Sequence, residues 1–269
     1  MNTENKSAMY VITHKVIDNR IKQTGYKYLG VGNKQTKADE NDSTGENISS
    51  KNQNYCELTG LYWIWKNSKM DYVGLCHYRR FFVSQHCGTV EISKLNDLNS
   101  ILENYDIIVP HKVKLLTSVR KHYEMSIKND ALEKICEVIV KLDPTYSKHV
   151  QRVLNTHNCS YYNMFYSKKT IIDKYCEWLF PILFNFEKCV NMDGWDNYEK
   201  RLYGFLSEIL FNIWLSHENL NIYEMDVFMS EKFPKSIHGR IKYHMIYTRK
   251  SLVKIVVWPF IKKKRLRRI

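Results

Sequence analysis

The sequence predicts an α/β domain with a helix-rich second half. Apolar strand-like segments alternate with an amphipathic helix in the first 110 residues, and helical periodicity dominates from about residue 119 onward. Of the 269 residues, 44% are hydrophobic and 13% aromatic, which is enough to build a large core. The chain has no internal repeat and no Gly/Ser-rich linker, so we expect one continuous domain over residues 9–231, followed by a tail.

The first half contains the expected strands of the sheet. A first strand is predicted at residues 9–14, and the polar stretch that follows at 30–51 is typical of a long loop. Apolar residues at helical spacing then predict a helix over residues 54–67. Short apolar runs predict two further strands at residues 71–76 and 105–109.

The second half is mainly helical. Residues 119–154 are predicted to be helical, and residues 161–166 form a further strand candidate. A helix is expected over residues 171–189, with a kink at Pro181. The last predicted helix, residues 203–217, carries Glu208 opposite its apolar stripe, so this carboxylate faces either solvent or a cleft.

The net charge of +13 belongs to the C-terminal tail. Residues 232–269 contain 13 of the 41 basic residues and no acidic one, which leaves 28 residues of each sign in the body. A neutral body argues against a general nucleic-acid binder, which would spread positive charge over its folded surface. Within the tail, the apolar run 255–261 adjoins the basic run 262–269, a pattern that favours attachment to an anionic membrane surface. A solvated basic end or a minor nucleic-acid contact is the alternative.

Other features predict a cytoplasmic protein at the inner face of the cell membrane. The N-terminus is polar, and no apolar stretch reaches the ~18 residues of a membrane-spanning helix. The seven cysteines include no C-x-x-C pair, and their odd number argues for a reducing compartment.

Standard catalytic motifs are missing from the sequence. It contains no P-loop, no G-x-G-x-x-G, no G-x-S-x-G and no H-E-x-x-H. It also lacks D-x-D, the pair that holds a divalent metal in many sugar-nucleotide enzymes. We therefore assign no metal ligands and no certain cofactor, and leave Mn²⁺ or Mg²⁺ open.

The most unusual segment is His77-Tyr78-Arg79-Arg80 at the end of an apolar strand. Guanidinium groups pair bidentately with phosphate oxygens, so this segment is a candidate for binding a diphosphate. Neighbouring strand residues point to opposite faces, so we expect only one of the two arginines to face a given ligand. The alternative is a surface arginine paired with a local carboxylate.

Further polar candidates lie in loops and at helix ends. Asn47, Lys51 and Asn52 end the long loop, where they either bind an anion or cap the following helix. Asp193 and Asp196 are loop carboxylates that spacing alone does not rank against Glu208.

Three aromatic and amide side chains are candidates for holding a sugar. Tyr162, Asn163 and Trp195 could do so by hydrogen bonding and stacking, although aromatic residues more often belong to a core.

Six blocks of the sequence together resemble a known family. It is a bacterial polysaccharide-biosynthesis family, its domain described as one of unknown function (four-four-two-two), whose members resemble glycosyltransferases of capsule and exopolysaccharide clusters. The resemblance covers about residues 10–229 and leaves out the tail. The blocks are residues 47–52, 55–67, 72–81, 162–165, 175–180 and 204–208.

The resemblance implies a GT-A-like nucleotide-sugar-binding fold with a mixed, mainly parallel sheet. It also implies transfer of a sugar from a nucleotide-sugar donor, a UDP-hexose or UDP-galactofuranose, to a lipid-linked oligosaccharide in capsule, exopolysaccharide or O-antigen synthesis. A non-catalytic module that binds a nucleotide sugar or a glycan at the membrane is the alternative, because a shared fold does not guarantee turnover.

The resemblance also implies roles for individual residues. His77 with Arg79 or Arg80 would replace the metal and neutralise the departing diphosphate. Glu208 becomes the preferred general base for an acceptor hydroxyl that attacks with inversion.

The remaining candidates would bind the two substrates. Thr13, His14 and Lys15 are expected beside the nucleotide, with Asn47, Lys51, Asn52 and Asn163 completing the donor site. Trp195 and Asp196 are expected on the acceptor side.

Overall fold

The computed structural model describes residues 6–15, 25–32, 37–86, 89–127 and 130–229, apart from the side chains of residues 85–90. Its strands are β1 (Ser7–Thr13), β2 (Tyr26–Gly30), β3 (Glu40–Asn41), β4 (Tyr72–His77), β5 (Arg80–His86), β6 (Thr89–Ile92), β7 (Ile107–Pro110), β8 (Val113–Lys114), β9 (Asn158–Cys159), β10 (Phe165–Lys168), β11 (Ile222–Met225) and β12 (Val227–Met229). Its helices are α1 (Asn52–Tyr55), α2 (Leu58–Asn67), α3 (Leu95–Ile101), α4 (Val119–Ser126), α5 (Ala131–Leu142), α6 (Ser147–Asn155), α7 (Lys169–Glu187) and α8 (Leu202–His217).

A central sheet organises the domain, with strands in the order β3-β2-β1-β4-β10-β7-β11. Only β10 in this row is antiparallel to its neighbours, so the mixed, mainly parallel sheet that the sequence predicted is confirmed. The chain runs outward from β1 to β2 and β3, and then returns to place β4 on the other side of β1. In such sheets ligands bind at the carboxyl ends of the strands where the order reverses. That position is the end of β1 and β4.

Both faces of the sheet are covered. Along β1, Tyr10 and Ile12 contribute to a large apolar cluster, and Met9 and Val11 contribute to a second, smaller one. Residues of α2 and of α4 to α8 build the first cluster, whereas β5 and α3 help to build the second. A strand covered on both faces is apolar at nearly every position, which explains the continuous apolar run that predicted it.

Gly74 lets the middle of the sheet close tightly. It lies in β4 opposite Met9 and Tyr166, and an added Cβ would stand 2.6 Å from both Met9 Sδ and Tyr166 Cδ2. We expect Gly74→Val to lower the free energy of unfolding by about 1–3 kcal/mol, because both neighbours are buried and must shift. Urea denaturation measures the loss. Gly74→Ala should lose less, and a Gly74→Val variant as stable as the wild type would contradict the steric argument.

Two predicted elements, the helix at 54–67 and the strand at 161–166, differ from the structure. The helix expected over residues 54–67 is interrupted at Cys56, which has φ 53° and separates α1 from α2. The strand expected over residues 161–166 begins only at Phe165, because Tyr162 and Asn163 have φ values of 83° and 49°. Both breaks lie where polar contacts between distant segments hold the backbone.

The helical stretch predicted at 119–154 is divided into α4, α5 and α6, and the loop predicted at 30–51 contains β3, which pairs with β2. The last two long helices appear as α7, with Pro181 inside it, and α8. Within the described part of the chain, no helix has both the length and the apolar composition needed to cross a membrane. The tail at 232–269, predicted to contact a membrane, lies outside the described residues.

Candidate active site

The carboxyl ends of β1 and β4 lie side by side. Thr13 is 1% exposed, and its Oγ1 donates to Lys15 O at 2.8 Å and accepts from Lys15 N at 3.1 Å. These bonds turn the chain at the end of β1. The Tyr78 N–H donates to Ile12 O at 3.2 Å, which brings the residues that follow β4 next to the same turn. The structure therefore brings residues 13–15 and 77–80 together. That they bind one ligand, as the resemblance implies, stays a prediction.

Basic side chains surround the ring of Tyr78. The His14 ring meets it edge-on at 5.2 Å between centroids, and Lys15 Nζ lies 5.9 Å from its centroid. Arg79 is exposed, with Cζ 4.8 Å from the same centroid. Lys15 and Arg79 thus place positive charge at the carboxyl ends of β1 and β4, which suits a phosphate-bearing ligand.

Arg80 takes a different direction from Arg79. It begins β5, pairs with His77 across the hairpin and places Cζ 4.5 Å from the centroid of the Tyr162 ring. Its Nε is buried and has no hydrogen-bond partner. Buried donors are normally satisfied, so this unpartnered N–H is a reason to expect a ligand beside Arg80.

Tyr162 links two of the predicted catalytic residues through its backbone. Its N–H donates to Glu208 Oε1 at 2.7 Å, and its carbonyl oxygen accepts from His77 Nε2 at 2.5 Å. Because a carbonyl can only accept, Nε2 carries the hydrogen. A tyrosine with φ of 83° is a rare conformation, and such strain is concentrated at functional sites.

The ionisation states follow from burial. Burial raises the pKa of Glu208 to about 7, and the charge of Glu57 adds to this, whereas the Tyr162 N–H, Arg80 and Arg201 oppose it. Burial also lowers the pKa of His77 below its ordinary value. At neutral pH the imidazole is therefore neutral, and Arg80 supplies the buried positive charge.

Asn163 connects the turn to two helices. Its Nδ2 donates to Glu57 Oε1 at 2.7 Å and to Ser207 Oγ at 2.8 Å, and the residue is 6% exposed. Its Oδ1 is buried without a partner. Glu57 is a site residue that the sequence did not single out. The only local signal was its place at the start of a helix, which favours the helix dipole wherever it occurs.

The three predicted donor residues at the end of the long loop make contacts of their own. Asn47 Oδ1 accepts from the N–H and the hydroxyl of Ser49, at 3.2 and 3.0 Å. Lys51 Nζ donates to the two Glu187 oxygens at 2.7 and 2.9 Å. Donor binding by Asn47 and Lys51 stays a prediction, beside these structural roles.

Asn52 lies next to the end of β2. Its Nδ2 donates to Cys56 O at 2.8 Å and to Thr59 Oγ1 at 2.9 Å. Its Oδ1 would stand 2.4 Å from a Cβ added at Gly32, so α1 lies very close to the backbone that follows β2. Its donor-binding role stays a prediction.

Trp195 and Asp196 lie in the segment between α7 and α8. Asp196 Oδ1 accepts from the N–H groups of Tyr198 and Glu199 at 2.6 and 2.7 Å, so it caps the turn that leads into α8. Trp195 is partly buried against the large apolar cluster. Their acceptor-binding roles also stay predictions.

The end of β4 does not fit a divalent metal. His77 uses Nε2 on the Tyr162 carbonyl, and the residues beside it are two arginines rather than carboxylates. Over the described ranges, no three His, Cys, Asp or Glu side chains are placed to share a metal ion. The positive charge available to a ligand at this edge is that of Arg79, Arg80 and Lys15.

Fold and site together define an α/β domain in which the Glu208 carboxylate and the Arg80 guanidinium both contact Tyr162, close to the end of β4. Residues 8–219 match the family described as Domain of unknown function (DUF4422), so the chain belongs to that family, as the resemblance predicted. Among curated proteins, none matches the chain.

A solved structure gives the comparison in three dimensions. The chain is similar to the apo structure of WbbM, a bifunctional glycosyltransferase, with 30% sequence identity and a TM-score of 0.73. The match covers 84% of this chain and 46% of the WbbM chain, so this chain spans about half of that protein.

Proposed function

We propose that the chain is a glycosyltransferase that moves a sugar from a nucleotide-sugar donor to a hydroxyl of a glycan acceptor. The observation that carries the proposal is Glu208: a partly buried carboxylate, oriented by the Tyr162 N–H, with a pKa of about 7. A general base works best when its pKa lies near the operating pH. The similarity to WbbM, a glycosyltransferase by its description, supports the same class of reaction.

The proposed reaction is a direct displacement. The acceptor oxygen forms a bond to the anomeric carbon while Glu208 takes the hydroxyl proton. The bond from that carbon to the diphosphate oxygen breaks, and the nucleoside diphosphate leaves with the bonding electrons. Arg80, supported by the basic groups around Tyr78, stabilises the charge that develops on the leaving group. Attack from the side opposite the leaving group inverts the anomeric configuration.

The finer assignments extend this proposal. We infer a UDP-hexose donor, with UDP-galactofuranose as the second choice, and a lipid-linked oligosaccharide acceptor of capsule, exopolysaccharide or O-antigen synthesis. The basic residues of the tail support a place at the inner face of the membrane, where such an acceptor resides.

A donor panel tests the proposal. The full chain is incubated with UDP-galactose, UDP-galactofuranose, UDP-glucose and UDP-N-acetylglucosamine, each with a polyprenyl-diphosphate-linked glycan, in EDTA or in Mn²⁺. We expect release of UDP and a product heavier by one sugar with one donor, in EDTA as well as in Mn²⁺. Tight donor binding without UDP release under any of these conditions would instead favour a non-catalytic binding module.

The pH dependence of transfer follows from the pKa of Glu208. Below about pH 7 the carboxylate takes up a proton and cannot accept another, so kcat/KM should fall about tenfold per pH unit. Above that pH the rate should level off. Initial rates between pH 5.5 and 8.5 give the profile, and a flat profile across this range would contradict the assignment of Glu208 as the base.

A further inference from the structure

A second carboxylate, Glu57, lies near Glu208 and has no role in the reaction proposed above. It directly precedes α2, and its Oε1 accepts from Asn163 Nδ2 at 2.7 Å. Asn163 in turn directly follows Tyr162, whose backbone bonds to both Glu208 and His77. Asn163 and Tyr162 thus link Glu57 to Glu208, the proposed base.

We propose that Glu57 is a positioning residue, which holds the Tyr162–Asn163 turn in its left-handed conformation and so fixes the orientation of Glu208 and His77. The inference rests on the proposed function, because it assigns Glu57 a part in the same reaction. In this assignment Glu208 remains the base, and Glu57 acts through its hydrogen bond to Asn163.

The turn needs an anchor because its conformation is unfavourable. Tyr162 and Asn163 have φ values of 83° and 49°, and a tyrosine seldom adopts such a value. The Asn163 amide donates to Glu57, just before α2, and to Ser207 Oγ and Gly204 O, both in α8. Two helices from distant parts of the chain therefore hold one amide group, and through it the turn.

The surroundings of Glu57 support this role. The left-handed Cys56 ends α1 and lets α2 begin in a new direction at Glu57, and Arg201 Nε donates to Cys56 Sγ at 3.3 Å. At Gly204 in α8, an added Cβ would stand 3.2 Å from Cys56 Cβ and 3.8 Å from Glu57 Oε2. The absence of a side chain at Gly204 thus allows this junction to approach α8 closely enough for Glu57 to reach Asn163.

Glu57 also acts on Glu208 through its charge. After burial, the charge of Glu57 is the strongest influence that raises the pKa of Glu208. The groups that face Glu208 from all neighbouring elements are Glu57 and Cys56 before α2, Arg80 in β5, Arg201 before α8, and Cys159, Tyr161 and the Tyr162 N–H around β9. Among the ordinarily ionised groups in this set, Glu57 is the one with negative charge, so its removal has a defined sign.

Three variants separate the charge of Glu57 from its hydrogen bond. Glu57→Gln keeps an acceptor for Asn163 but removes the charge, and Glu57→Ala removes both. Ser207→Ala removes a side-chain acceptor of the same amide in α8 and leaves the Gly204 carbonyl in place. The readouts are the pKa of Glu208, from carboxyl-carbon NMR with Glu208→Gln as the assignment control, and the pH profile of kcat. Thermal melting establishes that each variant is folded.

The three variants should differ in whether they change the pKa of Glu208 or kcat. Glu57→Gln should lower the pKa of Glu208 by about 1 unit and retain most of kcat. Glu57→Ala should lower kcat about 10- to 100-fold with little change in the donor KM, because the turn loses its anchor. Ser207→Ala should leave the pKa of Glu208 unchanged.

Two results would overturn the inference: an unchanged Glu208 titration in Glu57→Gln, or wild-type kcat in Glu57→Ala. A wild-type chain that transfers no sugar would overturn the proposed function alone. The NMR titration and the hydrogen exchange of the Tyr162 amide, which should quicken in Glu57→Ala, would still decide whether Glu57 positions the turn.

Discussion

Glu208→Gln is expected to lower the rate of sugar transfer by about 10²- to 10⁴-fold, the usual contribution of a general base. Glutamine has nearly the same shape and keeps an oxygen that accepts from the Tyr162 N–H, so the turn should stay in place. What is lost is the ability to take the acceptor's proton. Single-turnover transfer and donor affinity should be measured together, and donor affinity should change little.

The matched control for this variant is Glu177→Gln. Glu177 is an exposed glutamate in α7, and the same chemical change there should leave transfer at the wild-type rate. If Glu208→Gln keeps a rate within about threefold of the wild type, general-base catalysis by Glu208 is excluded, because that factor is far below its usual contribution.

Arg80→Met is expected to lower kcat about 10²- to 10³-fold, the range found when a preorganised group is removed from a developing negative charge. Arg80 is the partly buried guanidinium, with an unpartnered Nε and a fixed position against the Tyr162 ring. Arg80→Lys keeps the charge but not the planar fork, and should recover only part of the loss. UDP release from the preferred donor, measured without added metal, gives the rates.

Arg79→Met provides the comparison for Arg80→Met. Arg79 is exposed over the Tyr78 ring, where water screens its charge, so the variant should lose less than about tenfold. Unchanged donor turnover in both variants would exclude the proposal that fixed arginines neutralise the departing diphosphate.

Most of the sheet could be predicted from the sequence, because buried parallel strands have continuous apolar runs. The runs at 9–14, 71–76 and 105–109 correspond to β1, β4 and β7. The late start of β10 could not be predicted in this way. Residues 161–166 have the composition of a strand, yet the left-handed turn at Tyr162 and Asn163 is hydrogen-bonded to Glu208 and Glu57, far away in the chain.

The candidate site could be predicted only in part. The segment 77–80 can be recognised in the sequence because two adjacent arginines after an apolar strand are unusual. Glu208 was preferred only through the family resemblance, since spacing does not distinguish it from Asp193 or Asp196. Glu57 was missed because its partner Asn163 is 106 residues away, and no local pattern records such a contact.

Tyr162 contacts the proposed base and the proposed leaving-group arginine with different parts of the residue. The bonds to Glu208 and His77 come from its peptide groups, whereas the contact with Arg80 comes from its ring. Exchanging this ring for another aromatic one would therefore change the surface on which Arg80 packs and leave the Glu208 carboxylate and the His77 imidazole in place. In the proposed reaction, position 162 is therefore a place where evolution, or directed evolution in the laboratory, could change how Arg80 holds the leaving group without moving Glu208.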